Sequence, residues 1–193
     1  MDQLIGNKKI KTAVFISGTG SNLKNLIDFS INKKSPISIN LIISDNKNAI
    51  GLKYGKIFNI KKKVVNYKSK DIAEKKIFLE LKKNNINFIC LAGYMRILSK
   101  NFLKSFKGKI INIHPSLLPK YKGLNTHKRA IKKNEKFSGC TVHYVTPKLD
   151  SGKIILQKKV VIKKNDTEKS LAKRILIQEN KLYSKAILKI FNP

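Results

Sequence analysis

Short runs of apolar and β-branched residues alternate along the first 113 positions with segments whose apolar residues recur at helical spacing. Residues 11–17 (Lys-Thr-Ala-Val-Phe-Ile-Ser), 37–44 (Ile-Ser-Ile-Asn-Leu-Ile-Ile-Ser), 64–65 (Val-Val), 88–92 (Phe-Ile-Cys-Leu-Ala) and 109–113 (Lys-Ile-Ile-Asn-Ile) read as strands. Between them Leu23, Leu26 and Ile27 mark one helix and residues 50–58 a second. Ile72, Ile77, Leu79 and Leu81 indicate a lysine-rich amphipathic third, and 99–106 a short segment before the next strand. Alternation of this kind argues for a parallel sheet with helices on both faces.

The second half changes character. Residues 115–125 form a loop with two prolines, and a helix follows over 126–133. Residues 139–145 and 153–162 read as strands joined by a seven-residue turn, the second alternating enough to be a hairpin partner. Residues 168–191 read as one long helix with Asp166 or Thr167 as its N-cap. The expected architecture is α/β: a single doubly wound, mostly parallel sheet with helices on both faces and an antiparallel hairpin in the C-terminal half. One domain is expected over residues 1–193, with 1–10 as an N-terminal extension.

The net charge of +31 invites a nucleic-acid reading, but 39 of the 42 basic residues are lysine. They are scattered along the chain together with an excess of Asn and Ile, and aromatic residues are not interleaved with them as in a single-strand binder. The charge is therefore read as compositional, with nucleic acid bound only nonspecifically through charge. No apolar run approaches the ~20 residues of a membrane span, and the N-terminal residues lack a signal-peptide core. Cys90 and Cys140 lie in apolar runs without CxxC spacing, which fits two buried, reduced thiols and a cytoplasmic setting.

Three groups of residues carry chemistry. In the turn after the first strand, Gly18 and Gly20 free backbone amides, Ser21 adds a hydroxyl, and the helix starting near Asn22 directs its positive end to the same point, as a phosphate requires. A glycine turn between strand and helix is also common where nothing binds, and the spacing matches neither Walker A nor a dinucleotide fingerprint. Asn112 and His114 stand two apart at the end of a strand, so both side chains share one face. At the carboxyl end of a parallel strand that face opens on the ligand crevice. An amide there donates to an oxyanion, an imidazole carries a proton, and a carboxylate such as Asp150 orients and charges that imidazole. Taken alone, Asp150 is an ordinary turn aspartate. His143 reads as a satisfied interior residue, and no His/Cys/Asp cluster has metal-ligand spacing.

Blocks in fixed order then carry a resemblance: residues 16–23 (Ile-Ser-Gly-Thr-Gly-Ser-Asn-Leu), 91–99 (Leu-Ala-Gly-Tyr-Met-Arg-Ile-Leu-Ser), 111–121 (Ile-Asn-Ile-His-Pro-Ser-Leu-Leu-Pro-Lys-Tyr), 123–127 (Gly-Leu-Asn-Thr-His), 141–145 (Thr-Val-His-Tyr-Val) and 149–152 (Leu-Asp-Ser-Gly). With them the chain resembles the folate-dependent phosphoribosylglycinamide formyltransferases, the GAR transformylases, over about residues 11–191. The resemblance implies formyl transfer from 10-formyltetrahydrofolate, a co-substrate, to the amine of glycinamide ribonucleotide (GAR) in purine synthesis. It implies a catalytic trio of Asn112, His114 and Asp150. It places GAR against Gly20, Ser21, Asn22 and Glu179. It places the folate beside Met95, Arg96, Ile97, Leu98 and Asn112, and along Thr146, Pro147, Lys148, Leu149 and Asp150. No metal is implied, the partners are the two small molecules, and the expected state is a monomer or weak homodimer.

Two departures from the family pattern bear on affinity: Lys70 where many members have an arginine near the folate tail, and Leu176 where a polar substrate contact is often found. The competing readings are a methionyl-tRNA formyltransferase-like enzyme, which normally carries a further RNA-binding domain, and a basic RNA-binding protein on the same scaffold.

Overall fold

The computed structural model describes residues 9–191. Of the expected N-terminal extension, residues 1–8 lie outside the described residues, and Ile10 already opens the first strand. In chain order the elements are β1 (Ile10–Ile16), α1 (Ser21–Ile31), β2 (Ile37–Ser44), a 3₁₀ turn (Ile50–Leu52) leading into α2 (Lys53–Ile57), β3 (Lys61–Val64), α3 (Lys70–Lys83) and β4 (Phe88–Leu91). They continue with α4 (Lys100–Ser105), β5 (Lys109–His114), α5 (Thr126–Lys132), β6 (Phe137–Tyr144), β7 (Ile154–Val161) and α6 (Glu168–Phe191).

The seven strands form one sheet in the order β3-β2-β1-β4-β5-β6-β7. The first five run parallel. β6 is antiparallel to both β5 and β7, so the expected hairpin is present and its first strand also reverses against the parallel half. Strand order turns back between β1 and β4, and the carboxyl ends of those strands frame the crevice where open α/β sheets bind ligands.

Both faces of the central strands are covered, which is why their sequences are continuously apolar rather than alternating. Val14, Ile16, Phe88, Cys90 and Ile111 pack with Leu23, Leu26 and Ile27 of α1 and with Leu171, Ile175, Tyr183 and Ile187 of α6. Ala13, Phe15, Ile89 and Leu91 pack on the other face with Ala73, Ile77 and Leu81 of α3 and Phe102 of α4. The buried stripe of α3 runs through Ala73, Glu74, Ile77 and Leu81, whereas Ile72 and Leu79 are exposed. Ile72 and Leu79 were expected on the buried face; the stripe that obeys the four-residue repeat of a helix starts one position later and includes a buried glutamate.

At the amino edge, Lys9 Nζ donates to the carbonyls of Ser30 (2.6 Å) and Asn32 (2.7 Å), satisfying the end of α1 where a cation is favoured. Edge strand β3, Lys-Lys-Lys-Val, is exposed along its length, and its lysines blunt it against pairing with another chain. Ahead of α6, Thr167 Oγ1 accepts from Ser170 N–H (3.2 Å) while Ser170 Oγ accepts from Thr167 N–H (3.0 Å), so Thr167 is the cap. Tyr183, fully buried on α6, donates its hydroxyl to Leu91 O (2.9 Å), with Ile111 O at 3.3 Å, fixing α6 over β4 and β5. Among the described residues no helix is long and apolar enough to cross a membrane.

Candidate active site

The end of β5 delivers Asn112 and His114 to the carboxyl edge, and antiparallel β6 meets them there. Asn112 faces His143 in the strand register, and His114 faces Thr141. His143 Nδ1 lies 2.8 Å from Tyr144 O, and a carbonyl only accepts, so that nitrogen carries the proton. Nε2 of the neutral ring is then an acceptor, and Asn112 Nδ2 lies 3.3 Å away as its donor. One N–H of the Asn112 amide is fixed by this contact, and the other is directed elsewhere.

His114 sits between two acceptors. Its Nε2 is 2.9 Å from Tyr121 O and its Nδ1 is 3.3 Å from Asp150 Oδ2. Asp150 Oδ1 is also 3.6 Å from His143 Nε2, so the carboxylate touches both imidazoles. Only imidazolium donates to both of its neighbours. Burial nevertheless pulls the His114 pKa down, and it prevails over the Tyr121 carbonyl and Asp150, which pull it up. Asp150 does pull the His114 pKa up, as expected, but its pull is smaller than desolvation and the net shift is downward. Burial pushes the Asp150 carboxyl up in turn, but the Gly123 amide that donates to it and the charge that the neighbouring imidazoles can carry outweigh burial and leave Asp150 below the usual carboxylate range.

Polar contacts set up this geometry from behind. Asp150 adopts φ 44° and accepts from Gly123 N–H at 2.9 Å. Two residues on, a Cβ at Gly152 would lie 1.7 Å from Tyr144 O, so only glycine lets the turn close on β6. Thr141 Oγ1 donates to Ser116 O (2.6 Å) and accepts from Leu118 N–H (3.1 Å) and Gln157 Nε2 (2.9 Å). Arg129 Nη1 donates to Lys122 O (2.6 Å), and Tyr121 Oη donates to Glu135 (2.8 Å). The loop carrying the Tyr121 carbonyl is therefore tied to β6, β7 and α5.

The predicted phosphate loop lies at the crevice beside β1. Gly20 has φ +76°, and a Cβ there would lie 2.6 Å from Gly51 Cα; Gly51 N–H donates to Gly18 O at 3.0 Å. α1 begins at Ser21 without a side-chain cap, leaving its first amides to an anion. Asn22 Nδ2 donates to Glu179 Oε2 at 2.8 Å, joining two expected GAR contacts that lie 157 positions apart. Asn22 Oδ1 is buried without a partner among the protein groups. Burial pushes the Glu179 carboxyl up, with Asn22 as its opposing hydrogen bond. A half-satisfied buried pair beside a free helix N-terminus is built to receive a polar ligand. Leu176 is half-buried one turn earlier on α6, and Lys70 is exposed at the start of α3.

The expected folate contacts divide by exposure. Met95 and Ile97 project from the segment after β4, and Leu149 from the turn between β6 and β7, all as exposed apolar side chains at the carboxyl edge. Pro147 and Lys148 are exposed beside Leu149, and Thr146 Oγ1 donates to Lys148 O at 3.1 Å. Leu98, in contrast, is buried in the core with Leu91 and Phe102, so its side chain anchors the segment. His143, Thr141, Gln157 and Asp45 were missed as site-shaping residues. For His143 and Thr141 the available signal was a polar residue in an otherwise apolar buried strand.

A doubly wound sheet that gathers an amide, two imidazoles and a carboxylate at its carboxyl edge defines an α/β enzyme of the group-transfer class. The formyl transferase family model matches residues 10–187, and the chain belongs to that family. The phosphoribosylglycinamide formyltransferase structure from Brucella melitensis superposes with a TM-score of 0.89 at 41% identity, covering 95% of this chain and 96% of that one. That from Anaplasma phagocytophilum gives 0.88 at 42%, covering 93% and 85%. The human trifunctional purine biosynthetic protein adenosine-3 is 42% identical over 183 residues, 93% of this chain. The chain spans 18% of that protein's length.

Proposed function

We propose that this chain transfers the formyl group of 10-formyltetrahydrofolate to the amine of glycinamide ribonucleotide, giving formyl-GAR and tetrahydrofolate. The observation that carries the reading is the cluster at the end of β5, where His114 Nδ1 lies 3.3 Å from Asp150 Oδ2 and His143 Nε2 lies between the Asn112 amide at 3.3 Å and Asp150 Oδ1 at 3.6 Å. The uncapped start of α1 with Asn22 and Glu179 receives the ribonucleotide, and Met95, Ile97 and Leu149 offer an apolar wall to the folate heterocycle.

The GAR amine attacks the formyl carbon, and its carbonyl oxygen becomes an oxyanion. The free N–H of Asn112 donates to that oxygen. His114, neutral at rest because it is buried, gains reason to hold a proton as negative charge develops beside it, since imidazolium then serves the oxyanion and Asp150 together. Asp150 takes part in moving the proton from the attacking amine to the leaving folate nitrogen. The tRNA-formylating reading has no observation in its favour: the solved relatives named above carry the phosphoribosylglycinamide name over 85–96% of their length. Lysines and arginines spread over all six α-helices and over β1, β3, β5 and β7 support nucleic-acid contact through nonspecific charge only.

The test is formyl transfer from a 10-formylfolate to GAR by the parent and by His114→Ala. Turnover in the parent that vanishes in the variant supports the assignment. A parent that binds GAR and transfers no formyl group to it refutes the acceptor.

A further inference from the structure

Two buried carboxylates outside the catalytic cluster serve the same segment. Asp45 follows β2, its side chain only 5% exposed, and reaches across the end of β1 to the loop after β4. Its Oδ1 accepts from Ser17 Oγ–H at 2.5 Å, and Ser17 Oγ accepts from Met95 N–H at 2.9 Å. Its Oδ2 accepts from Arg96 Nε at 2.7 Å. On its other side the Arg96 guanidinium lies 5.2 Å from the Tyr67 ring, and the Tyr67 and Tyr94 hydroxyls are bonded at 2.8 Å. Four residues on the device repeats: Phe102 N–H donates to Ser99 Oγ at 3.0 Å, and Ser99 donates through both its hydroxyl and its N–H to Glu74.

In both places an amide donates to a serine hydroxyl that donates to a carboxylate. A carboxylate accepts only, so the serine proton is directed at it and a serine lone pair is left facing the amide. Without the carboxylate the hydroxyl rotor is free and the amide loses a fixed acceptor.

We propose that Asp45, acting through Ser17 and Arg96, is a positioning residue that locks the start of the segment from Met95 to Leu98, with Glu74 locking its end. The segment thereby stands as a preformed wall for the folate co-substrate; this rests on the reading that the segment lines the folate subsite. Nothing in Asp45 touches a reacting atom, and its effect falls on folate affinity.

The experiment pairs amide hydrogen exchange at Met95, measured without substrates, with steady-state kinetics for the parent, Asp45→Ala and Asp45→Asn. In Asp45→Ala, exchange at Met95 is expected to quicken about tenfold and KM for 10-formyltetrahydrofolate to rise about tenfold, the worth of a charge-assisted hydrogen bond. KM for GAR and kcat are expected to stay within about twofold. Asp45→Asn keeps an oxygen for Ser17 and is expected to restore most of the Met95 protection while still losing the Arg96 contact. Unchanged Met95 exchange in Asp45→Ala overturns the proposal whatever the enzyme's activity. A fall in kcat with both KM values raised overturns it as well, because that is general destabilisation. Quickened exchange in Asp45→Ala with an unchanged folate KM keeps the clasp and refutes the folate role of the segment.

Discussion

Asn112 and His143 stand opposite one another across the antiparallel β5–β6 pair, with the Asn112 amide nitrogen 3.3 Å from His143 Nε2. The Tyr144 carbonyl fixes the tautomer of His143, His143 fixes the Asn112 amide, and that amide is the oxyanion donor in the mechanism above. Orientation is thus handed from a backbone carbonyl to the reacting centre through two side chains. His143→Ala is expected to lower kcat about tenfold to a hundredfold while KM for GAR changes little, less than the ~10²–10³ of losing an oxyanion donor outright. His143→Gln, which can present an oxygen to Asn112, is expected to recover part of the loss. Equal kcat in parent and His143→Ala, by initial rates at saturating substrates, would sink this assignment.

The acid side of the stability profile is set in part by His114 and Asp150. Both pKa values are lowered in the folded chain. For each group the unfolded chain binds more protons in the window between the two pKa values, so stability rises with pH there. The His114 contribution is complete above the ordinary imidazole pKa of about 6.5 and is lost as pH falls through its lower folded value. Asp150 adds a second loss at more acid pH, below the ordinary carboxylate range. The Tm is therefore expected to fall as pH drops below about 6.5, and His114→Gln to flatten the upper part of that decline. Differential scanning calorimetry from pH 4 to 8 checks it; a parent and variant that decline in parallel would refute it.

Gly20 meets two demands at once, φ +76° and a backbone approach to Gly51 that leaves no room for a Cβ. Gly20→Ala is expected to cost about 1–3 kcal/mol of stability and to abolish GAR binding as the loop shifts. Calorimetric titration with GAR together with a thermal melt reads both. Tight GAR binding by a stable Gly20→Ala would remove this loop from the ribonucleotide site.

Strands β1, β2, β4 and β5 were legible because strands buried on both faces have no polar side to obscure them, whereas β3, expected at 64–65, lies at Lys61–Val64 as an exposed, lysine-rich edge that apolar counting skips. Asn112 and His114 were legible because a two-residue spacing is itself a geometric statement. Other features were hidden for physical reasons. The true stripe of α3 includes Glu74, a polar residue that apolar counting skips and whose carboxyl oxygens accept from Ser99, 25 positions away. His143 read as interior, and it is buried; what makes it part of the site is register with Asn112, a property of two strands that neither segment encodes alone. The upward pull of Asp150 on His114 was legible, but the larger downward pull was not, because desolvation depends on what covers the ring, which no local motif states.

At Glu179 the proposed role and stability pull in opposite directions. It is buried, only 7% exposed, and burial raises its pKa, with the Asn22 hydrogen bond opposing. For a carboxyl whose folded pKa is raised, the favourable contribution is present below the unfolded pKa and is lost as pH rises through the folded value, because the buried group must then carry charge. Glu179→Gln removes that burden while keeping the shape and an oxygen for Asn22. The variant is expected to match the parent Tm in acid and to exceed it at pH 7–8, with a flatter profile between. In the proposed ribonucleotide site the same substitution removes a carboxylate acceptor, so GAR affinity is expected to fall by about tenfold or more, the worth of a hydrogen bond to a charged group. Thermal melts across pH, paired with calorimetric titration of GAR, separate the two effects. A Glu179→Gln chain that is less stable than the parent at pH 8, or that binds GAR as well as the parent does, would show that this buried carboxylate is held for packing and not for the ligand.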